Sequence, residues 1–510
     1  MITIKRSLLT IFLLAFATVI QPAFCDYLTF QADPQRTGNV SCTGPDSPNI
    51  LWRETITNHA FYGGATVYED RIYVCDALDM SFSGQQALAC LNANEGSILW
   101  TNFLGGKGSF STPALADDLI FVGSFTGDLY CINAATGETI WNVPLVTDAS
   151  WFGLASSPLV VDDQVFVTSF TDGTLHVFDF EGHELWNIST PGEVNELASP
   201  AYWDGNVYFV GGDPALYCVD VSSQSVLWTF STNSEITTTP TIWNGSVFFA
   251  SADELLSMDA KNGEELWTVP INVKLSSPAI SFGRLYLGTF DNSFDCYDAL
   301  DGSLLWSTDV NGPIKTPPVV AGDLIYFGTN TAEGQFYALN TTDGSVVWTY
   351  PVNEFIMSSP TVSDGVLYFG AEDNHIYAFG PERSKVLWEG EVALPDGSFN
   401  LTAISGETYS IEWRSAMGAL YKAAEQGQFR LEVSDLLWNF YGLTVESIDD
   451  LKAKEGLIWN YAVMGSQTSA SITSPDIFQL NDGDLLIFYL DDDQSDPQES
   501  PRVVIKVNTN

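Results

Sequence analysis

The chain has 510 residues, 45% hydrophobic and 16% charged, with 64 acidic against 19 basic side chains and a net charge of -45. That composition supports a large buried core and excludes a disordered chain. So large a negative charge repels phosphate backbones and anionic membrane surfaces, which excludes nucleic acid as a partner.

Residues 1–25, MITIKRSLLTIFLLAFATVIQPAFC, carry Lys5 and Arg6, an apolar run from Leu8 to Ile20 and an Ala23-x-Cys25 exit. This is the pattern of a cleaved signal peptide. An uncleaved anchor and a lipid on Cys25 are the alternatives; the short run argues against the first and bulky Phe24 against the second. No later segment reaches the about 18 apolar residues a span requires. The mature chain is therefore expected to be exported, extracellular or at the cell surface, with no membrane span. Five sequons, at Asn39, Asn187, Asn244, Asn340 and Asn400, are candidate glycosylation sites near predicted turns, consistent with a secreted glycoprotein.

From residue 50 a single unit is rewritten again and again: NEGSILW, ATGETIW, KNGEELW, LDGSLLW and TDGSVVW each place a turn glycine shortly before a tryptophan. Tryptophans of this type stand at Trp52, Trp100, Trp141, Trp186, Trp228, Trp267, Trp306, Trp348 and Trp388, eight steps over 336 residues, an average of 42. That is the length of one four-stranded propeller blade. Each unit alternates short β-branched or aromatic runs with three turns, among them Asp204-Gly205, Asn244-Gly245 and Asp364-Gly365, which suit type I′ hairpins. First strands start at Ala65, Pro113, Pro158, Pro200, Pro240, Pro278, Pro318 and Pro360, giving eight blades for nine tryptophans. The strand of Trp52 then closes the ring by completing the last blade, and Trp388 opens the next domain. Trp52, Trp100, Trp141, Trp186, Trp228, Trp267, Trp306 and Trp348 are read as structural blade-to-blade spacers.

The entry FQADPQRTGN (30–39), the "SP" first strands and the "lYaldA.tG..lW" outer strands resemble the pyrroloquinoline quinone (PQQ)-like propeller repeat over about residues 30–384. The resemblance implies an eight-bladed β-propeller over 26–384. It includes quinoprotein dehydrogenases and cofactor-free scaffolds similar to the outer-membrane assembly lipoprotein of Gram-negative bacteria. Quinoproteins of this kind use an adjacent Cys-Cys pair, basic groups for the quinone carboxylates and a calcium held by acid and amide side chains. This chain has no adjacent Cys-Cys pair and few basic residues, so no cofactor and no metal is predicted.

Cys90, Cys131, Cys218 and Cys296 share the slot of Ala338 and Ala378 and read as small buried fillers. Cys75 lies on the strand before that of Cys90, and the two can form a cross-strand disulfide in an oxidising compartment; Cys42 has no assignable partner. His59, His176, His183 and His375 lack metal or nucleophile-partner spacing. No residue is assigned a catalytic role. The loops entering each first strand gather on one face, where blades 1, 2, 3 and 8 offer Phe61, Tyr62, Phe110, Trp151, Phe152 and Phe355. Lys274 and Lys315 enter there from blades 6 and 7, and Glu193, Glu196 and Glu235 from blades 4 and 5. The aromatic arc is the candidate binding face for a protein or glycan partner; the competing reading is that the rings only plug the channel.

Past the GPERSK linker the repeat stops, and 385–510 reads as a small α+β domain of mixed strands and one helix, with Ser415 as cap and Gly427 as terminator. SAMGALYKAAE, YGLTVESIDD, GLIWNYAVMG and FQLNDGDLLIFYL resemble the transcobalamin C-terminal-like domain, with a β-grasp-like fold. The resemblance implies corrinoid contact in some relatives, and YAVMGS departs from the family's asparagine-glycine turn. The expectation is thus a mainly β protein, an eight-bladed β-propeller followed by a small α+β domain. Its expected role is that of an exported non-catalytic binding scaffold. The alternatives are a PQQ-dependent oxidoreductase and a corrinoid-binding surface protein.

Overall fold

The computed structural model describes residues 27–381 except 78–85, 107, 147–152, 170–172 and 193–196, and, beyond 385, the elements named below with a few flanking residues. The chain divides into two compact units, the first ending at Glu382 and the second starting at Arg383. The leader lies outside the described residues.

The first unit is an eight-bladed propeller of four-stranded antiparallel blades, the seventh joined at its inner edge by the short parallel strand Asn39–Val40. The inner strands, one per blade in order, are Thr66–Tyr68, Ala114–Ala116, Leu159–Val161, Ala201–Trp203, Thr241–Trp243, Ala279–Ser281, Val319–Ala321 and Thr361–Ser363. The outer strands of blades 1 to 7 run from Ile98–Asn102 in the first to Val346–Pro351 in the seventh. Blade 8 takes its outer strand, Ile50–Glu54, from the beginning of the chain, pairing Trp52 with Ala378. The two ends of the repeat are thereby hydrogen-bonded into one sheet, and the ring has no open seam.

The turn glycine and the tryptophan form one joint. Trp52 Nε1 donates to Ala93 O (2.9 Å), and Trp100, Trp141, Trp228, Trp267 and Trp306 donate likewise to Ala134, Phe180, Ala260, Ala299 and Thr341 of the following blade. Trp348 donates to Pro45 O at 3.0 Å. The indole lies flat against the next blade's glycine: a Cβ on Gly96 would sit 2.5 Å from Trp52 Cε3, and on Gly302 2.7 Å from Trp267 Cε3. These glycines also hold φ near +70°, so both the contact and the backbone require the missing side chain. Trp186 faces the exception, a blade 4 turn with Gln224 at φ +56° in the glycine's place.

The cysteine slot follows from the same register. Tyr73, Cys90 and Trp100 lie opposite one another across three strands, as do Phe121, Cys131 and Trp141, Tyr208, Cys218 and Trp228, and Tyr286, Cys296 and Trp306. A small residue between two large rings leaves them room to pack. Burial pushes the thiols of Cys90, Cys131, Cys218 and Cys296 up to about 12. Cys75 and Cys90 are free, against the expected disulfide. Cys75 pairs with Leu88 and Cys90 with Tyr73, so the two cysteines are diagonal neighbours, and the about 7–8 Å of a diagonal is too far to bridge. Cys42 is disulfide-bonded.

Residues 27–40 circle the channel. The backbone N–H groups of Val67, Leu115, Tyr202, Ile242, Ile280 and Val320, each the second residue of an inner strand, donate to the carbonyls of Tyr27, Leu28, Pro34, Gln35, Thr37 and Gly38 in turn. In blade 3 Thr29 Oγ1 donates to Pro158 O. The segment thus visits blades 1 to 7 in order and satisfies inner edges that face no other strand. Its keystone is Arg36, fully buried, whose guanidinium donates to Pro200 O, Thr29 Oγ1, Phe30 O, Ser157 O and Pro158 O. All five guanidinium N–H donors are used, and the charge stacks on Phe30 at 5.6 Å.

The second unit contains a four-stranded sheet, Val386–Ala393, Arg502–Asn508, Leu485–Asp491 and Ile458–Met464, whose first two strands are parallel. It adds the hairpin Ser398–Thr402 with Thr408–Glu412, the helix Ala416–Gly427, and a sheet of Leu431–Ser434, Thr444–Ile448 and Leu451–Lys452. Ser415 Oγ accepts from Gly418 N at 3.1 Å, capping the helix.

Candidate functional site: a closed-bottom cavity in the propeller channel

In five blades the first strand is preceded by two Ser/Thr positions, while blade 1 has Gly63-Gly64, blade 4 Ala198-Ser199 and blade 7 Thr316-Pro317, and the two hydroxyls do different work. The first anchors its own blade: Ser156, Thr238, Ser276, Thr316 and Ser358 accept from Thr168 N, Ala250 N, Gly288 N, Gly328 N and Gly370 N. The second links neighbours: Gly64 N donates to Thr112 Oγ1, Thr112 N to Ser157 Oγ, Ser157 N to Ser199 Oγ, Ser199 N to Thr239 Oγ1 and Thr239 N to Ser277 Oγ, at 2.8–3.0 Å. Blade 7 has Pro317 and blade 1 Gly64 in that slot, and the circle is interrupted at both.

The residue just before this pair of positions lines the channel in every blade. Tyr62, Phe110, Ala155, Leu197, Thr237, Leu275, Lys315 and Met357 all line one cavity of about 640 Å³, whose floor is Phe30 above the buried Arg36. Phe125, Phe355, Asn330 and Glu372 complete the wall. The volume lies in the range of small-ligand and side-chain pockets. Tyr62 meets Phe110 edge-on at 4.6 Å, and Phe110 meets Phe125 at 4.5 Å. Leu275 is held at φ +67°, a left-handed conformation costly for a branched side chain, and is half-buried in the wall.

The polar part of the wall is narrow. Burial pushes the Glu372 carboxyl above the usual range, opposed by a hydrogen bond from Tyr62 and by Lys315; burial lowers the Lys315 ammonium, opposed by Glu372. The cavity is therefore a mainly apolar cup, with Lys315 and Glu372 as its charged residues on the side of blades 7 and 8. A single lysine does not supply the basic groups a quinone tricarboxylate needs, so the residues present do not fit that cofactor. Among the described residues no three His, Cys, Asp or Glu side chains cluster as a metal site. His176, His183 and His375 pair with the nearby carboxylates of Glu184, Asp179 and Asp373.

Of the residues singled out in the sequence, Tyr62, Phe110, Phe355 and Lys315 meet in the cavity. Phe61 does not: it is completely buried, with its Cβ where a Cβ on Gly370 would clash at 2.2 Å. One residue before the cavity position, the side chain seals the seam with the preceding blade, as Leu154, Ile314 and Ile356 do against Gly123, Gly288 and Gly328. Trp151, Phe152, Glu193 and Glu196 lie outside the described residues. Lys274 is exposed over the Phe290 ring at 4.9 Å. Asn39, Asn187, Asn244 and Asn400 are exposed, whereas Asn340 is half-buried with its Oδ1 accepting from Thr342 N. Phe30, Phe125, Leu197, Leu275 and Met357 were missed. A search for the third residue before each Pro, rather than for aromatics, finds all but the first two.

Comparison with known proteins agrees with this architecture. The chain is 28% identical over 219 residues to the outer membrane protein assembly factor BamB of Shewanella oneidensis, covering 40% of this chain and 54% of that protein. It is 25% identical over 140 residues to the Yersinia pestis protein of the same name, covering 26% and 33%. The matches thus span about half and a third of those relatives. Among solved structures, BamB from Moraxella catarrhalis superposes with a TM-score of 0.52 at 19% identity, covering 66% of this chain and 98% of that one. A europium-containing methanol dehydrogenase gives 0.57 at 14% identity, covering 70% and 98%. These structures share the fold, scaffold and enzyme alike. The family model described as outer membrane protein assembly factor BamB matches residues 36–192, 171–289 and 254–409, and the chain belongs to that family.

Proposed function

We propose that this chain is an exported, non-catalytic scaffold that holds a protein partner by seating apolar side chains in the channel cavity. The observation that carries this reading is the ring of equivalent positions: six of the eight, Tyr62, Phe110, Ala155, Leu197, Leu275 and Met357, are apolar or aromatic, over an aromatic floor. Rigid aromatic and aliphatic walls suit buried side-chain anchors. A glycan would need more free polar partners than this wall offers, where the hydroxyls of Ser157, Ser199, Thr239 and Ser277 already accept the backbone bonds of the interblade circle. The assembly role printed in the relatives' names supports a protein as the occupant.

The test is the pair Leu275→Asp and Met357→Asp, each placing a charge in the cup without touching the hydroxyl circle. A protein that co-purifies with the wild-type chain after mild fixation is lost from both variants, while their unfolding temperatures stay near wild type. Retention of that protein by both variants, or stoichiometric quinone absorbance kept by the chain after incubation with calcium and quinone and then desalting, defeats the reading. The corrinoid alternative rests on the resemblance of residues 385–510 alone, and absorbance retained after incubation with cobalamin tests it in the same experiment.

A further inference from the structure

The blades serve as controls for one another, and blade 6 breaks the pattern on the face opposite the cavity. In blades 2, 3, 4, 5, 6 and 8 the first hairpin turn has two residues with positive φ, and its first position is Asp117, Asp162, Asp204, Asn244, Phe282 and Asp364. Asp and Asn tolerate that backbone; a phenylalanine there is a conformational outlier. Phe282 sits at φ +47° and is 96% exposed. The third turn of the same blade departs in the same way. Leu300, 72% exposed, stands where the equivalent glycine turns of blades 1, 2, 5 and 7 have Asn94, Ala135, Lys261 and Thr342. The two turns are tied together by Ala299 N donating to Gly283 O at 2.9 Å, and Gly283 abuts the half-buried Trp243 of blade 5. Two large apolar side chains are therefore exposed on adjoining turns, where the equivalent positions named in the other blades carry polar or small residues.

Their surroundings indicate what covers them. Asp301 is exposed beside Leu300 and Asp323 and Asp343 are exposed on the corresponding turns of blade 7, against one exposed Lys261 on that of blade 5, while Arg284 is committed to the carbonyls of Thr341 and Thr342. With a chain charge of -45, a second copy and an anionic membrane are both repelled. We infer that Phe282 and Leu300 form a second docking point, separate from the cavity, for a protein partner that offers an apolar hollow rimmed by lysine or arginine. Convex knobs need a concave receptor, and an acidic rim selects a basic one. The chain then has two contact faces and can bridge two proteins.

The test restores the repeat's own pattern with Phe282→Asn and Leu300→Thr together. Because Asn suits the left-handed turn, this variant folds at least as stably as wild type, which separates binding from folding. A displayed random-peptide library is selected on the whole wild-type chain and counter-selected on the double variant. Enriched peptides are expected to be cationic with apolar side chains, to bind the variant on the order of 30-fold more weakly, and to lose affinity as salt rises. Three results overturn the inference: no enrichment, or peptides that bind both forms equally; wild-type but not variant binding to phosphatidylcholine vesicles, which makes the knobs a membrane contact; and self-association of the wild type that the variant lacks. The Leu275→Asp variant keeps this peptide binding, so failure of the cavity reading and failure of this one are told apart.

Discussion

Arg36 shows how one side chain can hold a channel closed. Its five hydrogen bonds reach blades 3 and 4 and its own loop, so Arg36→Ala leaves several buried carbonyls without donors. The expected loss is about 3–5 kcal/mol, read as a shift in denaturant midpoint at constant slope; a change below about 1 kcal/mol would mean that water replaces the guanidinium. Glu372 gives a prediction in pH. Because its folded pKa is raised, the folded state holds this proton more tightly than the unfolded chain does. Its contribution to stability is therefore fully present below the ordinary glutamate value and is lost as pH rises through the raised one. Glu372→Gln should flatten that part of the stability curve, and an unchanged curve would place the titration elsewhere.

At the level of the strand and turn, the repeated motif is a two-part joint, and each half can be broken separately. Trp267→Ala removes an indole buried at the seam of blades 5 and 6 together with its bond to Ala299 O, and should cost about 3–5 kcal/mol. Gly302→Ala keeps the indole but adds a methyl against it at positive φ, and should cost at least about 1–2 kcal/mol from the backbone alone. If the two variants combined cost no more than Trp267→Ala alone, the glycine serves only the ring; full additivity would mean it serves only the turn. This level was the most legible in the sequence. A period of 42 with three turns leaves few other folds, and the parity of Trp52 against eight first strands foretold the closing sheet. The cavity was half legible. The repeat register marks its wall, but aromatic content pointed to Phe61, which alternation turns into the seam, and passed over Leu197, Leu275 and Met357.

For the whole molecule, the least legible feature was the segment 27–40, because its bonds are made by backbone and its partners lie up to 282 residues away, as in the pair Gly38 and Val320. No local pattern announces such a path; only the buried arginine and the run of turn-formers in QADPQRTG hint at it. It gives the channel a floor and makes the cavity single-ended. A chain lacking residues 27–54 loses both this wrap and the outer strand of blade 8, and should show no cooperative calorimetric transition for the propeller; an intact transition would mean that the blades close unaided. The proposed function requires that the open cup receive a protein. It is tested most directly by placing a photo-crosslinking amino acid at Phe355 in the cavity and, separately, at the exposed outer-strand residue Leu227, in cells that make the full chain. A discrete protein adduct is expected from position 355 and none from 227; equal adducts from both positions, or none from 355, would rule the proposed function out.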